Sequence, residues 1–99
     1  MRLQILDLAK NDLIQGFHFY EDKEQGLGHY FLVNLYSDIE SLKWFGGVHR
    51  KVYSAYYRAL SKRFPFAIYY TIEEDTVKIR AVVDCRKRPS WIRRHVEGA

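Results

Sequence analysis

Ninety-nine residues, 47% of them hydrophobic and 16% aromatic, are enough for one domain, over residues 1–99, with a core that needs neither disulfides nor a metal. The single cysteine, Cys85, excludes an intrachain disulfide and a cysteine cluster, the first residues lack a signal-peptide pattern, and no apolar run reaches the roughly 20 residues of a membrane helix. The formal net charge is +4, and we expect a cytoplasmic protein with no membrane association, no metal site and no cofactor.

The first half of the chain predicts a strand followed by two helices. "RLQIL", residues 2–6, is a short strand, and Asp7 or Asp12 is the expected N-cap of the first helix. The apolar residues of that helix recur at helical spacing: Leu13, Phe17 and Tyr20. After the interruption "EQGLG", a second apolar face ends near "WFGG" and consists of Leu27, Phe31, Leu35, Ile39 and Leu42. We expect the two helices to pack as a hairpin.

From Val48 onward the sequence predicts strands. Tyrosines and β-branched residues dominate, period-two alternation replaces helical spacing, and Pro65 and residues 73–75 mark turns. Three or four strands follow, the last of them "VKIRAVVDC", residues 77–85. The order β-α-α-β-β-β predicts an α+β domain, in which the N-terminal strand joins a curved, mostly antiparallel sheet covered by the two-helix hairpin.

The charge is divided unevenly between the two halves of the chain. Residues 1–49 contain four Lys or Arg against seven Asp or Glu, a net of −3, whereas residues 50–99 contain twelve against five, a net of +7. Five of the cations lie within residues 86–94. This clustering favours a surface that binds a polyanion or an acidic protein over a general solubilising role.

Four segments, in order, cover nearly the whole chain with a recognisable pattern: "GFHFYEDKEQGLGHYFL", "DIESLKWFGGVH", "YRALSKRFPFAIYY" and "AVVDCRKRP". Together they resemble the RelE/ParE superfamily of type II toxin-antitoxin toxins, especially its ParE-like, plasmid-stabilisation branch. The resemblance implies a growth-inhibiting toxin that is held inactive by a cognate antitoxin, whose extended segment and helix wrap around it. It also implies one of two targets: DNA gyrase, which some members poison, or the ribosome and its mRNA, which others cut.

Basic residues near the predicted strand ends are the candidate binding residues: Arg58, Lys62, Arg63, Arg86, Lys87, Arg88, Arg93 and Arg94. Arg58 and Lys62 would share a face of one strand and point together toward phosphate or carboxylate. Alternatively, Arg58 is a structural ion-pair residue with a buried stem. Arg86 is expected to project at the sheet edge beside Arg88, with Pro89 stiffening the exit and Trp91 burying its ring.

An endoribonuclease would need further groups. The resemblance places Arg86 where RNA-cleaving relatives have an arginine that stabilises the transition state, and His49 and Lys51 are candidates for proton transfer. Other positions depart from the RNA-cleaving pattern: Phe64, Pro65 and Phe66 stand where a second arginine is expected, and Trp91 and Ile92 where a tyrosine often lies. The incomplete set favours a toxin that binds gyrase, and catalytic activity stays open.

Aromatic residues and the cysteine are interpreted as structural. The tyrosines fall at strand spacing, which is typical of core positions and cross-strand pairs: Tyr53, Tyr56, Tyr57, Tyr69 and Tyr70. Cys85 stands at the end of the last strand with no identifiable histidine partner, so we expect it to be a small packing residue.

Overall fold

Helices cover both faces of a five-stranded sheet in the computed structural model, which describes residues 1–99. The elements are β1 (Arg2–Ile5), α1 (Asp7–Glu21), α2 (Leu27–Glu40), α3 (Leu42–Phe45), β2 (Lys51–Val52), β3 (Tyr56–Leu60), β4 (Phe66–Glu73), β5 (Thr76–Asp84) and α4 (Pro89–Glu97). The strand order is β1-β5-β4-β3-β2, with β1 parallel to β5 and the other neighbours antiparallel. The predicted α+β class is confirmed, with α4 and the short β2 as additions to the predicted order. The second helix, predicted to end near "WFGG", is divided at Ser41 into α2 and α3.

The turn between α1 and α2 holds the helical hairpin together. Gly26 adopts a φ of +89°, which glycine tolerates and other residues rarely adopt. The carboxylate of Glu21 accepts hydrogen bonds from the N–H groups of Gly26 at 3.0 Å and Gly28 at 2.9 Å, and these bonds lower the pKa of Glu21. The otherwise unpaired N–H groups at the start of α2 are therefore satisfied without a side-chain N-cap.

β4 is buried on both faces and separates two apolar clusters. Phe66, Ile68 and Tyr70 pack with the α1–α2 hairpin, while Ala67 and Tyr69 point to the opposite face and pack with α4. This explains why "FAIYY" is a continuous apolar run instead of an alternating one. The helical-face cluster also contains the residues predicted as the apolar face of the second helix, namely Phe31, Leu35, Ile39 and Leu42.

A β-bulge at Arg80 changes which residues of β5 face each cluster. Tyr69 pairs with Ala81 and Tyr70 with Ile79, so Arg80 has no partner of its own on β4. Before the bulge, Ile79 faces the α1–α2 hairpin, and after it Ala81 faces α4. Because of the bulge, Val82 as well as Ile79 packs in the hairpin-side cluster, while Ala81 and Val83 pack in the α4-side cluster.

α4 is the main element that the sequence patterns did not predict. Only two of its side chains, Ile92 and Val96, are buried, so its apolar pattern is too short to stand out in a basic segment. Pro89 occupies the first turn, where its missing N–H costs nothing. The prediction that Trp91 buries its ring is wrong: the residue is 36% exposed and stacks on His95 with ring centroids 4.7 Å apart.

The prediction of Asp7 or Asp12 as the N-cap of the first helix is wrong, because the N-cap residue of α1 is Leu6. Asp12, inside α1, instead connects this helix to β5 and α4. The Asp12 carboxylate accepts a hydrogen bond from the N–H of Val82 at 2.9 Å and lies 2.8 Å from Nε2 of His95. Burial raises the pKa of Asp12, and both partners oppose that rise.

None of the helices combines the length and the hydropathy that crossing a bilayer requires.

Gly16 is expected to be intolerant of alanine because a Cβ there would lie 2.5 Å from Cζ of Phe31. Alanine normally stabilises a helix relative to glycine by about 1 kcal/mol, but overpacking a filled core costs about 1–3 kcal/mol. We therefore predict that Gly16→Ala lowers the free energy of unfolding measured in urea. Asn11→Ala, at an exposed position of the same helix, is the control, and a Gly16→Ala protein as stable as that control would contradict the packing argument.

Candidate functional site

Two turns bring the predicted cations of β3 and β5 to one end of the sheet. The β3–β4 turn and the β5–α4 turn touch directly, because the N–H of Cys85 donates to the carbonyl of Pro65 at 2.8 Å. Five predicted binding residues lie on these turns, all of them exposed: Lys62, Arg63, Arg86, Lys87 and Arg88. We call this set the basic end. It joins two sequence clusters that are more than twenty residues apart.

Arg86 differs from its neighbours in the basic end because it has a carboxylate partner. Its Nε donates to Oδ1 of Asp84 at 3.0 Å, and Nη2 donates to Oδ2 at 2.7 Å. The pair lowers the pKa of Asp84 and raises the pKa of Arg86. The sequence predicts that Arg86 projects at the sheet edge beside Arg88; the side chain is exposed there, but its guanidinium is bound to Asp84, which offsets its charge.

Arg58 lies on the α4 face of the sheet and does not share a face with Lys62. β3 ends at Leu60, so strand alternation does not extend to Lys62, whose N–H donates instead to Asp38 of α2. Nε of Arg58 donates to the hydroxyl of Tyr69 at 3.2 Å, and Nη2 lies 3.8 Å from Sγ of Cys85. Burial opposes the charge of the guanidinium, but the interactions with Tyr69 and Cys85 together outweigh it and raise the pKa of Arg58.

The α4 face brings a second predicted cation close to Arg58. Tyr53 stacks on Tyr69 with centroids 6.2 Å apart, and the guanidinium of Arg93 lies 5.4 Å from the Tyr53 ring. Arg58 and Arg93 therefore contact one tyrosine pair from β3 and α4, and Arg58 has no carboxylate partner. Arg93 bonds Glu97 on its own helix, and Arg94 is exposed.

Sequence reasoning missed the Tyr53–Tyr69 pair as part of a site. The sequence carries no signal for it: Tyr53 has a φ of +51°, which is uncommon for a residue other than glycine, but only the structure shows this. No local pattern connects Tyr53 to Tyr69 or to Arg93, because the three residues come from different elements.

His49 and Lys51, the candidates for proton transfer, lie on the opposite face. Nδ1 of His49 is 2.6 Å from the hydroxyl of Tyr70, which also accepts a bond from the N–H of Gly47 at 2.9 Å. Tyr57 stacks on Tyr70, and Nζ of Lys51 lies 5.0 Å from the Tyr57 ring. The two candidates are thus close to each other, around the buried Tyr70 and the partly buried Tyr57.

The structure does not bring His49 and Lys51 to Arg86. Arg86 is fixed to Asp84, which pairs with Phe66 at one end of β4, whereas His49 is fixed to Tyr70, four residues further along the strand. Four strand residues span about 13 Å. A general base and a charge-stabilising arginine must both reach the same phosphodiester, so this set is not assembled in the structure.

No group of three or more His, Cys, Asp or Glu side chains is arranged to hold a metal ion.

The fold is similar to that of a chain in one solved structure. A chain of the solved structure described as "Chromosomal ParDE TA system from P. aeruginosa" matches with a TM-score of 0.76 and 13% sequence identity, and the match covers 85% of this chain and 95% of that chain. No protein-family model matches the sequence, and no curated protein matches it. The structural match confirms the fold that the four sequence segments implied.

His49 is expected to titrate below its ordinary pKa of 6.5, because burial lowers it. The folded protein then binds fewer protons than the unfolded chain below pH 6.5, so this residue's contribution to stability is present above that pH and is lost as the pH falls through the folded pKa. An NMR titration of the imidazole checks the midpoint, and the His49→Gln variant, which lacks that signal, is used to assign it. A His49 midpoint at or above 6.5 would contradict the assignment.

Proposed function

We propose that this chain is the toxin of a type II toxin-antitoxin system, neutralised by a cognate antitoxin, and that it stops growth by binding DNA gyrase in the cytoplasm. The fold match to a chain of a ParDE system supports the toxin assignment. The observation that favours binding over RNA cleavage is the separation of the candidate catalytic residues. His49 is held by Tyr70 in the middle of β4, and Arg86 is held by Asp84, which pairs with Phe66 at the start of β4.

The basic end supplies what a binding toxin needs. Among its five residues only Arg86 forms an ion pair, so the charges of Lys62, Arg63, Lys87 and Arg88 are available to a partner. Exposed charges of one sign raise encounter rates with an oppositely charged surface. They sit on turns that are fixed to each other and to a sheet buried on both faces, so binding requires little ordering of backbone.

Ribosome-dependent mRNA endoribonuclease activity is the second candidate, and the α4 face supports it. Arg58 and Arg93 place two guanidinium groups around the stacked Tyr53 and Tyr69 rings. Guanidinium groups bind phosphate, and aromatic faces stack on bases. Cleavage at this face would use Arg58 in place of Arg86, whose guanidinium is bound to Asp84.

The target is decided by expressing the protein in a bacterial host and measuring two responses in the same culture. A reporter of double-strand-break repair detects poisoned gyrase, and mapping of transcript 5′ ends detects mRNA cleavage. We expect the repair reporter to be induced without site-specific mRNA cuts. Cuts in translated transcripts without repair induction would reject gyrase and establish the endoribonuclease. A protein that produces neither response nor any growth arrest would reject the toxin assignment itself.

Arg86→Ala is predicted to abolish growth inhibition while changing the unfolding free energy by no more than about 1 kcal/mol, the usual range of an exposed ion pair. The variant removes one positive charge from the basic end and leaves the Asp84 carboxylate without its counter-ion, so the net charge of the pair changes from zero to −1. Arg86→Lys is also expected to be impaired, because an ammonium does not replace a bidentate fork.

Growth assays and thermal unfolding of the purified variants check this prediction. Lys10→Ala, which removes an exposed cation of α1 outside the basic end, is the matched control and should inhibit growth as the parent does. If folded Arg86→Ala protein still arrests growth like the parent, Arg86 is not part of the active surface, and Arg58 or the Arg93 and Arg94 pair becomes the next candidate.

A further inference from the structure

The positive charge of the basic end continues onto the outer side of α4. Ile92 and Val96 pack on the sheet. Arg94 lies two residues from each of them, which places it on the opposite side of the helix, and it is exposed. The six residue steps from Arg88 to Arg94 cover about 9 Å of helix. We call the basic end together with Arg94 the cationic surface.

The positive charge of the cationic surface is almost uncompensated within the chain. Residues 60–66 and 84–94 contain seven Lys or Arg and one acid, Asp84, a net of +6. Asp84 is bound by Arg86, and Asp38 of α2 bonds to the backbone N–H of Lys62 instead of to its ammonium. The other five cations of the surface form no ion pair: Lys62, Arg63, Lys87, Arg88 and Arg94. Five positive charges are therefore available to an anionic partner.

The composition of the cationic surface fits a nucleic acid better than an acidic protein. Protein–protein interfaces have an apolar core that is depleted of charged residues, whereas protein–DNA interfaces are more polar and much more positively charged. Most of the exposed large apolar side chains of this chain lie elsewhere, on α1, α2, α3 and the loop after α3. Four of the six cations of the surface are arginines, whose planar fork matches the geometry of phosphate.

The aromatic ring beside these cations is not open to a base. Trp91 stacks on His95 with ring centroids 4.7 Å apart, and Nζ of Lys87 lies 4.7 Å from the centroid of the Trp91 ring. These two side chains cover the indole. Proteins that bind single strands without sequence preference offer aromatic faces on which bases stack. A surface of cations without such a face favours the duplex, which carries one phosphate charge per about 1.7 Å of its axis.

We propose that the cationic surface binds the phosphate backbone of duplex DNA without reading its sequence. The inference rests on the proposed function for the source of that DNA, which is the duplex that gyrase holds. The toxin then recognises gyrase loaded with DNA in preference to the free enzyme. The surface itself follows from the unpaired charges, the arginines and the covered indole.

Asp84 limits the affinity of the cationic surface for DNA. Its carboxylate binds both Nε and Nη2 of Arg86, so a phosphate must compete with it, and its charge repels phosphate. Asp84→Asn removes that charge and keeps a carbonyl oxygen for the N–H of Arg86, which donates to Oδ1 at 2.8 Å. We expect Asp84→Asn to bind DNA about fivefold more tightly, the effect of one unit charge about 4 Å from another in water.

Fluorescence anisotropy with the purified full-length protein, in the absence of gyrase, tests the proposal. The labelled probes are two twenty-base-pair duplexes of unrelated sequence, a single-stranded RNA of the same length and polyglutamate. We expect the two duplexes to bind equally, and both more tightly than the RNA or polyglutamate at the same salt concentration. The logarithm of the binding constant should fall against the logarithm of the salt concentration with a slope of about −4.5, from about −0.9 for each of the five unpaired cations.

Variants that each remove one positive charge locate the surface. Lys62→Ala and Arg94→Ala take an exposed, unpaired cation from a turn and from α4, and each should make the salt slope less steep by about 1, with the same loss of affinity for both duplexes. Lys10→Ala removes the same charge from α1, where the side chain is exposed, and is the matched control that should leave the slope unchanged. Thermal unfolding shows that each variant is folded.

Four results would overturn the inference: tighter binding of the RNA than of the duplexes, equal binding of polyglutamate, no gain from folded Asp84→Asn, or a loss in Lys10→Ala as large as that in Lys62→Ala, which would mean that net charge alone drives binding. The growth assay is independent of this titration. A protein that binds duplex DNA but never arrests growth keeps the surface and loses the toxin assignment. A growth-arresting protein that does not bind duplex DNA keeps the toxin assignment and overturns the inference.

Discussion

The burial of β4 on both faces is the constraint on which the other features depend. Neighbouring side chains of a strand point to opposite faces, so Tyr69 and Tyr70 belong to two different clusters. Arg58 is hydrogen-bonded to Tyr69 and therefore lies on the α4 face, and His49 is hydrogen-bonded to Tyr70 and therefore lies on the hairpin face. His49 and Arg58, candidates that are close in sequence, are thereby separated by the thickness of the sheet. They could meet only if the packing on both faces of β4 were disrupted.

Charge is concentrated at the basic end, but it is not uniform there. Four cations are open to a partner, and the fifth, Arg86, is balanced by Asp84 at 2.7 Å. An acidic partner therefore meets some positive charge at once and competes with Asp84 for the rest. Because Asp84 is the last residue of β5 and only partly exposed, its carboxylate sets the orientation of Arg86 before any partner arrives.

Local patterns predicted the elements whose signals are local. The helical spacing from Leu27 to Leu42, the turn at residues 73–75 and the punctuation by Pro65 all correspond to the structure. Contacts that join distant segments left no such signal. Neither the bond between Asp12 and His95 nor the meeting of Arg93 with Tyr53 can be seen in spacing or propensity. The short α4 was not predicted for a related reason: its apolar face consists of only Ile92 and Val96, and it is recognised by their packing on the sheet.

β1 and α1 are synthesised well before the segments that complete them. β1 pairs with Thr76–Ile79, and Asp12 of α1 bonds to Val82 and His95, all of which are translated later. Closing contacts over such sequence separations is slow compared with forming a helical hairpin. The nascent chain therefore passes through a stage in which α1 and α2 can form but their apolar face has no sheet to cover it, a state prone to aggregation. The basic end, made of turns that β4 and β5 must first align, is assembled only after β5 has emerged.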